Sequence, residues 1–181
     1  MLEQSKNNLV WIDLEMTGLD PQVDTILEIA TIITDHHFNI IAEGPALIVH
    51  QPDEVLERMD PWCIKAHGDS GLTQAVKNSN ISLEQAKNLT LEFIQQYCTP
   101  QSAPLCGNSV WNDKIFLIKY MPQITNYLHY RLIDTTSVKQ IVRYSTGIEE
   151  PYIKAKTHRA LDDIKESIAE LQYYKKTYFK F

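Results

Sequence analysis

The chain has 181 residues, 44% hydrophobic and 22% charged, so we expect one globular domain over 1–181 with its core at about 8–178. A net charge of −6 disfavours a protein that coats long nucleic acid by charge alone. It does not exclude a nuclease, because divalent ions bound at a carboxylate cluster would reverse the sign of the local charge. No apolar run has transmembrane length, and we expect no signal peptide in the N-terminal MLEQSKNN. Three cysteines without a CxxC pair (Cys63, Cys98, Cys106) predict free thiols, a cytoplasmic location and no structural zinc site.

The first predicted element is a strand in the stretch Leu9 to Asp20 (LVWIDLEMTGLD), and it carries two carboxylates. Alternation places Asp13 and Glu15 on one face with Leu9 and Trp11. Two like charges in a half-buried strand are costly unless a cation holds them. The pair therefore predicts a site for a hard divalent ion such as Mg²⁺ or Mn²⁺. The alternative is an exposed edge strand with two solvated acids, which the apolar neighbours on the same face disfavour.

The elements that follow predict the fold class. Strands over Ile26 to Thr34 and Ile40 to His50, the second interrupted at Gly44-Pro45, suggest an antiparallel meander. The later predicted elements are a helix that begins at the capping box Ser82 to Gln85, a strand over Pro104 to Asn108, a helix over Asp113 to Tyr120, a strand over Arg131 to Asp134, a helix around Val138 to Val142, and a helix from Thr157 to about Tyr178. This order predicts an α/β domain with a five-stranded mixed sheet flanked by helices, as in the ribonuclease H-like arrangement.

Further carboxylates come from helix starts, and a two-metal site needs three or four of them. Asp113 follows Gly107-Asn108-Ser109, and its alternative role is that of a helix N-terminal acid favoured by the helix dipole. In the last helix, Asp163 lies about 110° from the centre of the apolar face, whereas Asp162 points further away. Asp163 is thus the better candidate for a buried site. His158 can act with Asp163 only if it lies at the frayed start of that helix.

Three motifs in this order resemble the DEDD exonuclease superfamily, histidine subtype: DLE at Asp13 to Glu15, Asp113 after GNS, and His158-x4-Asp163. WIDLEMTGLDP, CGNS, KYMP, HYR and HRALDDI-x-ESI-x-EL more narrowly resemble the oligoribonuclease family, from Asn8 to about Tyr174. The resemblance implies a 3′→5′ exoribonuclease that converts dinucleotides and slightly longer RNAs to 5′-mononucleotides by two-metal-ion hydrolysis.

The resemblance also implies residue roles. Asp13, Glu15, Asp113 and Asp163 would hold two Mg²⁺ or Mn²⁺ ions, and His158 would be the general base. Tyr130 would belong to the active site without an assignable proton transfer, with edge-strand packing as its alternative. The implied substrate-binding residues are Met16 and Trp62 in a base pocket, Leu19 as a wedge between the bases, and His67, Ser109, Arg131 and Thr136 as a cap on the 5′ phosphate. Core packing is the alternative for Met16 and Trp62, and Thr136 replaces a Ser found in several relatives.

The implied partners are short single-stranded RNA and a second copy of the chain, with no membrane. Tyr130 and Arg131 would cross to the partner's site in a homodimer. Two other classes stay open: a proofreading 3′→5′ exonuclease subunit of a DNA polymerase and an inactive nucleic-acid-binding module. We expect no polymerase-attachment segment after Phe181, which disfavours the first. The second is disfavoured because all five active-site positions are filled.

Overall fold

A mixed β-sheet forms the centre of the fold, and the computed structural model describes residues 4–149, 152–153 and 159–179. The strands are β1 (Leu9–Met16), β2 (Ile26–Thr34), β3 (Ile40–Glu43), β4 (Leu47–Ile48), β5 (Pro104–Gly107) and β6 (His129–Asp134). Their order across the sheet is β3-β2-β1-β5-β6, with β4 also paired to β2. β2 is antiparallel to β1, β3 and β4, whereas β5 is parallel to both β1 and β6. β1 is therefore a central strand, and the alternative of an exposed edge strand is wrong.

The helices flank this sheet. They are α1 (Asp53–Leu56), α2 (Pro61–Asp69), α3 (Leu72–Asn78), α4 (Leu83–Tyr97), α5 (Trp111–Tyr120), α6 (Pro122–Tyr127), α7 (Thr135–Thr146) and α8 (Ala160–Tyr178). Ser82 and Gln85 form the predicted capping box at the start of α4. The predicted last helix begins three residues late, at Ala160, and positions 154–158 lie outside the described residues. Within the described ranges, no helix is both long and apolar enough to cross a membrane.

The predicted third strand is divided into β3 and β4 at the expected interruption. Gly44 begins the break, and its N–H donates to the Thr31 carbonyl at 2.8 Å. A Cβ at Gly44 would lie 2.6 Å from the Phe93 ring and 2.9 Å from that carbonyl oxygen. Only glycine lets the chain pass this closely between α4 and the sheet.

The two faces of the sheet bury separate apolar clusters. Val10 and Ile12 of β1 pack on one face with Phe116 and other residues of α4, α5 and α6. Trp11 packs on the other face against Ile164 and further apolar residues of α8. Because both faces of the sheet are covered, the first four residues of β1 are apolar on both sides. Asp13 and Glu15 follow them in the second half of the strand. The carboxyl ends of parallel β1, β5 and β6 meet at one edge of the sheet, beside the first turns of α5, α7 and α8.

Candidate active site

Three carboxylates converge at this edge. Asp13, Glu15 and Asp163 each offer an oxygen, and these oxygens all lie within 4.8 Å of one another. β1 places Asp13 and Glu15 on the face that α8 covers, and Asp163 lies in the first turn of α8. All three are partly buried, whereas Asp162 is exposed. The inward position predicted for Asp163 and the outward position of Asp162 therefore agree with the structure.

Asp113 lies beside this group and is buried in the first turn of α5. Its Oδ1 accepts the backbone N–H of Leu14 at 2.9 Å, which ties α5 to β1 between the two acids of the strand. Burial raises the pKa of Asp113 to about 7, and the hydrogen bond from Leu14 opposes that rise. Asp113 thus occupies both of its predicted positions. It is an acid in the first turn of a helix, and it also lies beside the other carboxylates.

The electrostatics of Glu15 show how much negative charge collects here. Burial raises the pKa of Glu15 to about 8, and the charges of Asp163, Glu28 and Asp113 add to the rise, while Arg159 opposes it. Such carboxylates are unfavourable as anions unless a cation compensates them. The three converging side chains offer only carboxylate oxygens as ligand atoms, which suit a hard divalent ion. The residues therefore fit a divalent metal site, and the acidic cluster is its candidate.

A pocket of about 400 Å³ opens beside the cluster. Its lining residues are Glu15, Met16, Leu19, Asp60, Trp62, Cys63 and His67. Leu19 is 67% exposed and Trp62 is 65% exposed. Core packing, the alternative for Trp62, therefore does not account for its position. Large apolar side chains held at the mouth of a pocket can contact the faces of planar ligands.

His67 lies in the wall of this pocket. It is buried in α2, and its Nε2 donates to the Met16 carbonyl at 2.9 Å. Its Nδ1 lies 3.8 Å from a Glu15 carboxylate oxygen. The structure thus groups His67 with the end of β1.

Ser109 and Thr136 meet at the carboxyl ends of β5 and β6. Their hydroxyl oxygens are 2.9 Å apart, and the Thr136 hydroxyl donates to Asn108 Oδ1 at 2.8 Å. Asp134 Oδ1 accepts the backbone N–H of both Ser109 and Thr136, each at 2.9 Å. Ser109 has a φ of 54°, so the carboxylate holds a loop conformation that most residues avoid. The two predicted substrate-binding hydroxyls are therefore brought together.

Arg131 and Tyr130 lie elsewhere, on β6 at the edge of the sheet. Tyr130 is 72% exposed, so edge-strand packing within this chain, the alternative role for Tyr130, does not account for its position. Arg131 Nε lies 3.2 Å from the Tyr130 hydroxyl, and its guanidinium carbon lies 5.4 Å from the centre of that ring. Three strand residues, about 10 Å, separate Arg131 from the strand end where Ser109 and Thr136 meet. Arg131 therefore does not lie beside those two hydroxyls within one chain. The predicted general base His158 lies outside the described residues.

Two residues near the cluster were missed by sequence reasoning. Glu28 is a buried acid in β2, and Arg159 precedes α8 and forms an ion pair with it. The signal was available for Glu28, because it is the only charged residue in the apolar stretch ILEIATIIT. A charge in a fully buried strand needs a partner. Nothing in the sequence indicated which of the 17 Lys and Arg residues would supply it.

Comparison with known proteins identifies the family. The RNase_T family model, described as an exonuclease, matches residues 10–171. An oligoribonuclease of Francisella tularensis is 55% identical over 172 residues, which cover 95% of this chain and 96% of the relative. The chain belongs to the oligoribonuclease family. An oligoribonuclease of Pasteurella multocida is 50% identical over 175 residues, covering 96% of this chain and 95% of the relative.

Among solved structures, exonuclease I of E. coli in a zinc-bound complex with single-stranded DNA has a TM-score of 0.71 and 17% identity. The match covers 97% of this chain and 41% of that chain, so the present chain spans about two fifths of exonuclease I. This likeness confirms the predicted ribonuclease H-like fold. The family prediction is confirmed by the two oligoribonucleases.

Proposed function

We propose that the chain is a 3′→5′ exoribonuclease that degrades RNAs of two to a few nucleotides to 5′-mononucleotides with two divalent ions, Mg²⁺ or Mn²⁺. The exoribonuclease activity follows from membership of the oligoribonuclease family. The observation that carries the proposal is the convergence of Asp13, Glu15 and Asp163 within 4.8 Å beside an apolar pocket.

Asp13, Glu15 and Asp163 would hold the metal ions, and Asp113 would support the second ion partly through water. Bound divalent ions supply a lower pKa for the attacking water and stabilise charge on the leaving 3′ oxygen. The raised pKa of Glu15 supports this assignment, because compensation by a cation favours its charged form.

His158 is the proposed general base. It takes a proton from the water that attacks the terminal phosphorus, the bond from phosphorus to the 3′ oxygen breaks, and that oxygen takes up a proton from solvent. The released nucleotide keeps the phosphate on its 5′ oxygen. This role rests on the motif His158-x4-Asp163. Tyr130 is assigned to the site without a proton-transfer step.

The pocket would bind the two terminal bases. Trp62 and Met16 would line the face of one base, and the exposed Leu19 would separate it from the next. His67 would contribute to the phosphate cap from the wall of the pocket, although in this structure it contacts Met16 and Glu15.

Ser109 and Thr136 would bind the 5′ phosphate through their paired hydroxyls. Arg131 of a second chain completes this cap, and Tyr130 of that chain reaches the same active site, because the edge strand β6 leaves both exposed and away from the hydroxyls of their own chain. We therefore propose a homodimer, which light scattering at micromolar concentration should detect. A cytoplasmic location is also proposed, and it rests on three free cysteines.

The decisive experiment is release of mononucleotides from a labelled, 5′-phosphorylated RNA dinucleotide, with and without EDTA. We expect metal-dependent release, and stronger release from RNA than from the matching DNA. Asp163→Asn should abolish it, whereas Asp162→Asn, an exposed neighbour in the same helical turn, should retain it. Preference for long DNA would favour the proofreading class, and binding without cleavage would favour an inactive binding module.

A further inference from the structure

Glu28 is a buried acid that the proposed chemistry does not use. It is 1% exposed near the start of β2 and lies directly opposite Glu15 in the β1–β2 register. It would be a fifth carboxylate at the acidic edge. A buried carboxylate is stable only when it is paired and hydrogen-bonded.

Arg159 supplies that pairing through both of its facing nitrogens. Its Nη2 lies 2.8 Å from Glu28 Oε1, and its Nε lies 3.2 Å from Glu28 Oε2. The backbone N–H of Ala160 also reaches Oε2, at 3.5 Å. A two-point contact of this kind fixes direction as well as distance, because the planar guanidinium matches the carboxylate only in a few orientations. Both oxygens of Glu28 are thereby engaged.

The pair joins α8, which carries Asp163, to β2, the strand hydrogen-bonded to the one that carries Asp13 and Glu15. On one side, Glu28 of β2 lies opposite Glu15 of β1. On the other side, Arg159 immediately precedes α8, and its carbonyl accepts the N–H of Asp163 at 3.0 Å. The path from Glu15 to Asp163 thus runs through one cross-strand pairing, one ion pair and one helical turn.

We propose that the Glu28–Arg159 ion pair is a positioning device that holds Asp163 at its place against Asp13 and Glu15, so that the three carboxylates bind a divalent ion together. The proposal rests on the proposed function, because it takes the cluster to be the metal site. In this role the pair acts on Asp163 through the start of α8, and Arg159 and Glu28 are positioning residues and not metal ligands.

A second ion pair provides a matched control. Lys165 Nζ lies 2.8 Å from Glu43 Oε2, so this pair also fastens α8 to the sheet, at β3. Both partners are close to half exposed, and Lys165 lies further along the helix than Asp163. Loss of such an exposed pair changes stability little. The buried apolar residues of α8, among them Ile164 and Ile168, keep the helix on the sheet in either variant.

The test compares Glu28→Gln, Arg159→Gln and the double variant with wild type by calorimetric titration of the metal-free protein with Mn²⁺. Loss of a partner that orients metal ligands typically weakens metal binding by about 10–100-fold, and we expect this for all three variants. Pure charge effects predict a different pattern. Arg159→Gln removes a cation and would tighten Mn²⁺ binding, Glu28→Gln would weaken it, and the double variant, whose net charge equals that of wild type, would leave it unchanged.

Two further measurements complete the design. Glu43→Gln should bind Mn²⁺ as wild type does, and the Tm of every variant in EDTA shows whether it folds. Arg159→Lys, which keeps the charge but loses the two-point contact, should fall between wild type and Arg159→Gln. Unchanged affinity in the double variant or tighter binding by Arg159→Gln would overturn the positioning role while leaving the proposed function intact. If the double variant does not fold, unchanged affinity in Arg159→Lys overturns it equally. A wild type that binds no Mn²⁺ would overturn both.

Discussion

The acidic cluster and the neighbouring pocket share Glu15 but are built from different parts of the fold. The cluster uses the central strand and the first turns of two helices, and its acids are buried or partly buried. The pocket and the proposed phosphate cap use a turn, short helices, strand ends and an edge strand, where Leu19, Trp62 and Tyr130 are each more than 60% exposed. Repelling charges need rigid elements to hold them, whereas substrate contacts can be made by exposed side chains. Changes in the cluster should therefore abolish chemistry, and changes in the pocket and cap should alter substrate preference by degrees.

The largest effect is expected for Asp13→Ala. An oxygen of Asp13 lies within 4.8 Å of oxygens of both other acids, so its loss removes one of the three converging carboxylates proposed to hold metal and should abolish activity. The Tm in EDTA should be unchanged or higher, because removal of one acid relieves repulsion in the metal-free protein. Turnover of a labelled dinucleotide in Mn²⁺ and thermal melting in EDTA check both parts. Retention of more than a tenth of the wild-type rate would contradict the metal-binding role of Asp13.

His158→Ala should lower kcat by about 10²–10⁴-fold, the usual contribution of a general base. Mn²⁺ affinity measured by calorimetry should change little, since a base that contacts only water does not bind the ion. This separates His158 from the acids of the cluster, for which both quantities should collapse. A large loss of metal affinity in His158→Ala would instead make it a ligand or an orienting residue.

Arg131→Ala tests the graded side of the comparison. Processive movement needs a basic groove, which a net charge of −6 disfavours, so we expect 5′-phosphorylated dinucleotides to be cleaved fastest, with kcat/KM falling for each added nucleotide up to seven. Removing Arg131 should cost about 1.5–3 kcal/mol of that preference through loss of a charge-assisted hydrogen bond. A flat wild-type profile would refute the cap, and a steep profile unchanged in Arg131→Ala would remove Arg131 from it.

Mixed forms of the proposed homodimer test which chain supplies Arg131. Asp13→Ala mixed with Arg131→Ala should restore the dinucleotide preference, because the intact acidic cluster of one chain would receive Arg131 from the other. Asp13→Ala mixed with Ser109→Ala should not, since Ser109 lies beside Thr136 in its own chain. Equal results from the two mixtures would contradict a shared cap.

Much of the cluster could be predicted because its residues follow local periodicity. Alternation along β1 fixes the common face of Asp13 and Glu15, and the helical angle separates Asp163 from Asp162. Asp113 was harder, because a first-turn acid is common in any helix. Its contact with Leu14 bridges 99 positions of sequence, and no local pattern reports that distance.

The pocket was less predictable because it depends on segments without strong periodicity. The sequence interpretation assigned no elements between His50 and Ser82, where α1, α2 and α3 form. These helices are only four to nine residues long, too short to show a clear repeat, and α2 is held by contacts such as that of His67 with Met16. The Glu28–Arg159 pair likewise spans 131 positions. Family resemblance supplied Trp62 and His67 where periodicity could not.

The smallest expected effect concerns stability of the metal-free protein and separates the cluster from ordinary surface acids. In the folded state the pKa of Glu15 is raised from 4.5 to about 8, and that of Asp113 from 3.8 to about 7. Between these values the folded state binds more protons than the unfolded state, so the free energy of unfolding falls as pH rises from about 4 to about 8.

In EDTA, the Tm of Glu15→Gln should therefore gain on that of wild type as pH increases from 5 to 8. The control Asp162→Asn changes an exposed acid of α8 and should show no comparable gain. Mn²⁺ should remove most of the difference between wild type at pH 5 and at pH 8, because it binds the deprotonated acids. Parallel Tm profiles for Glu15→Gln and wild type in EDTA would show that ionised Glu15 does not destabilise the metal-free protein. The cluster would then resemble solvated surface acids rather than a site that needs a cation.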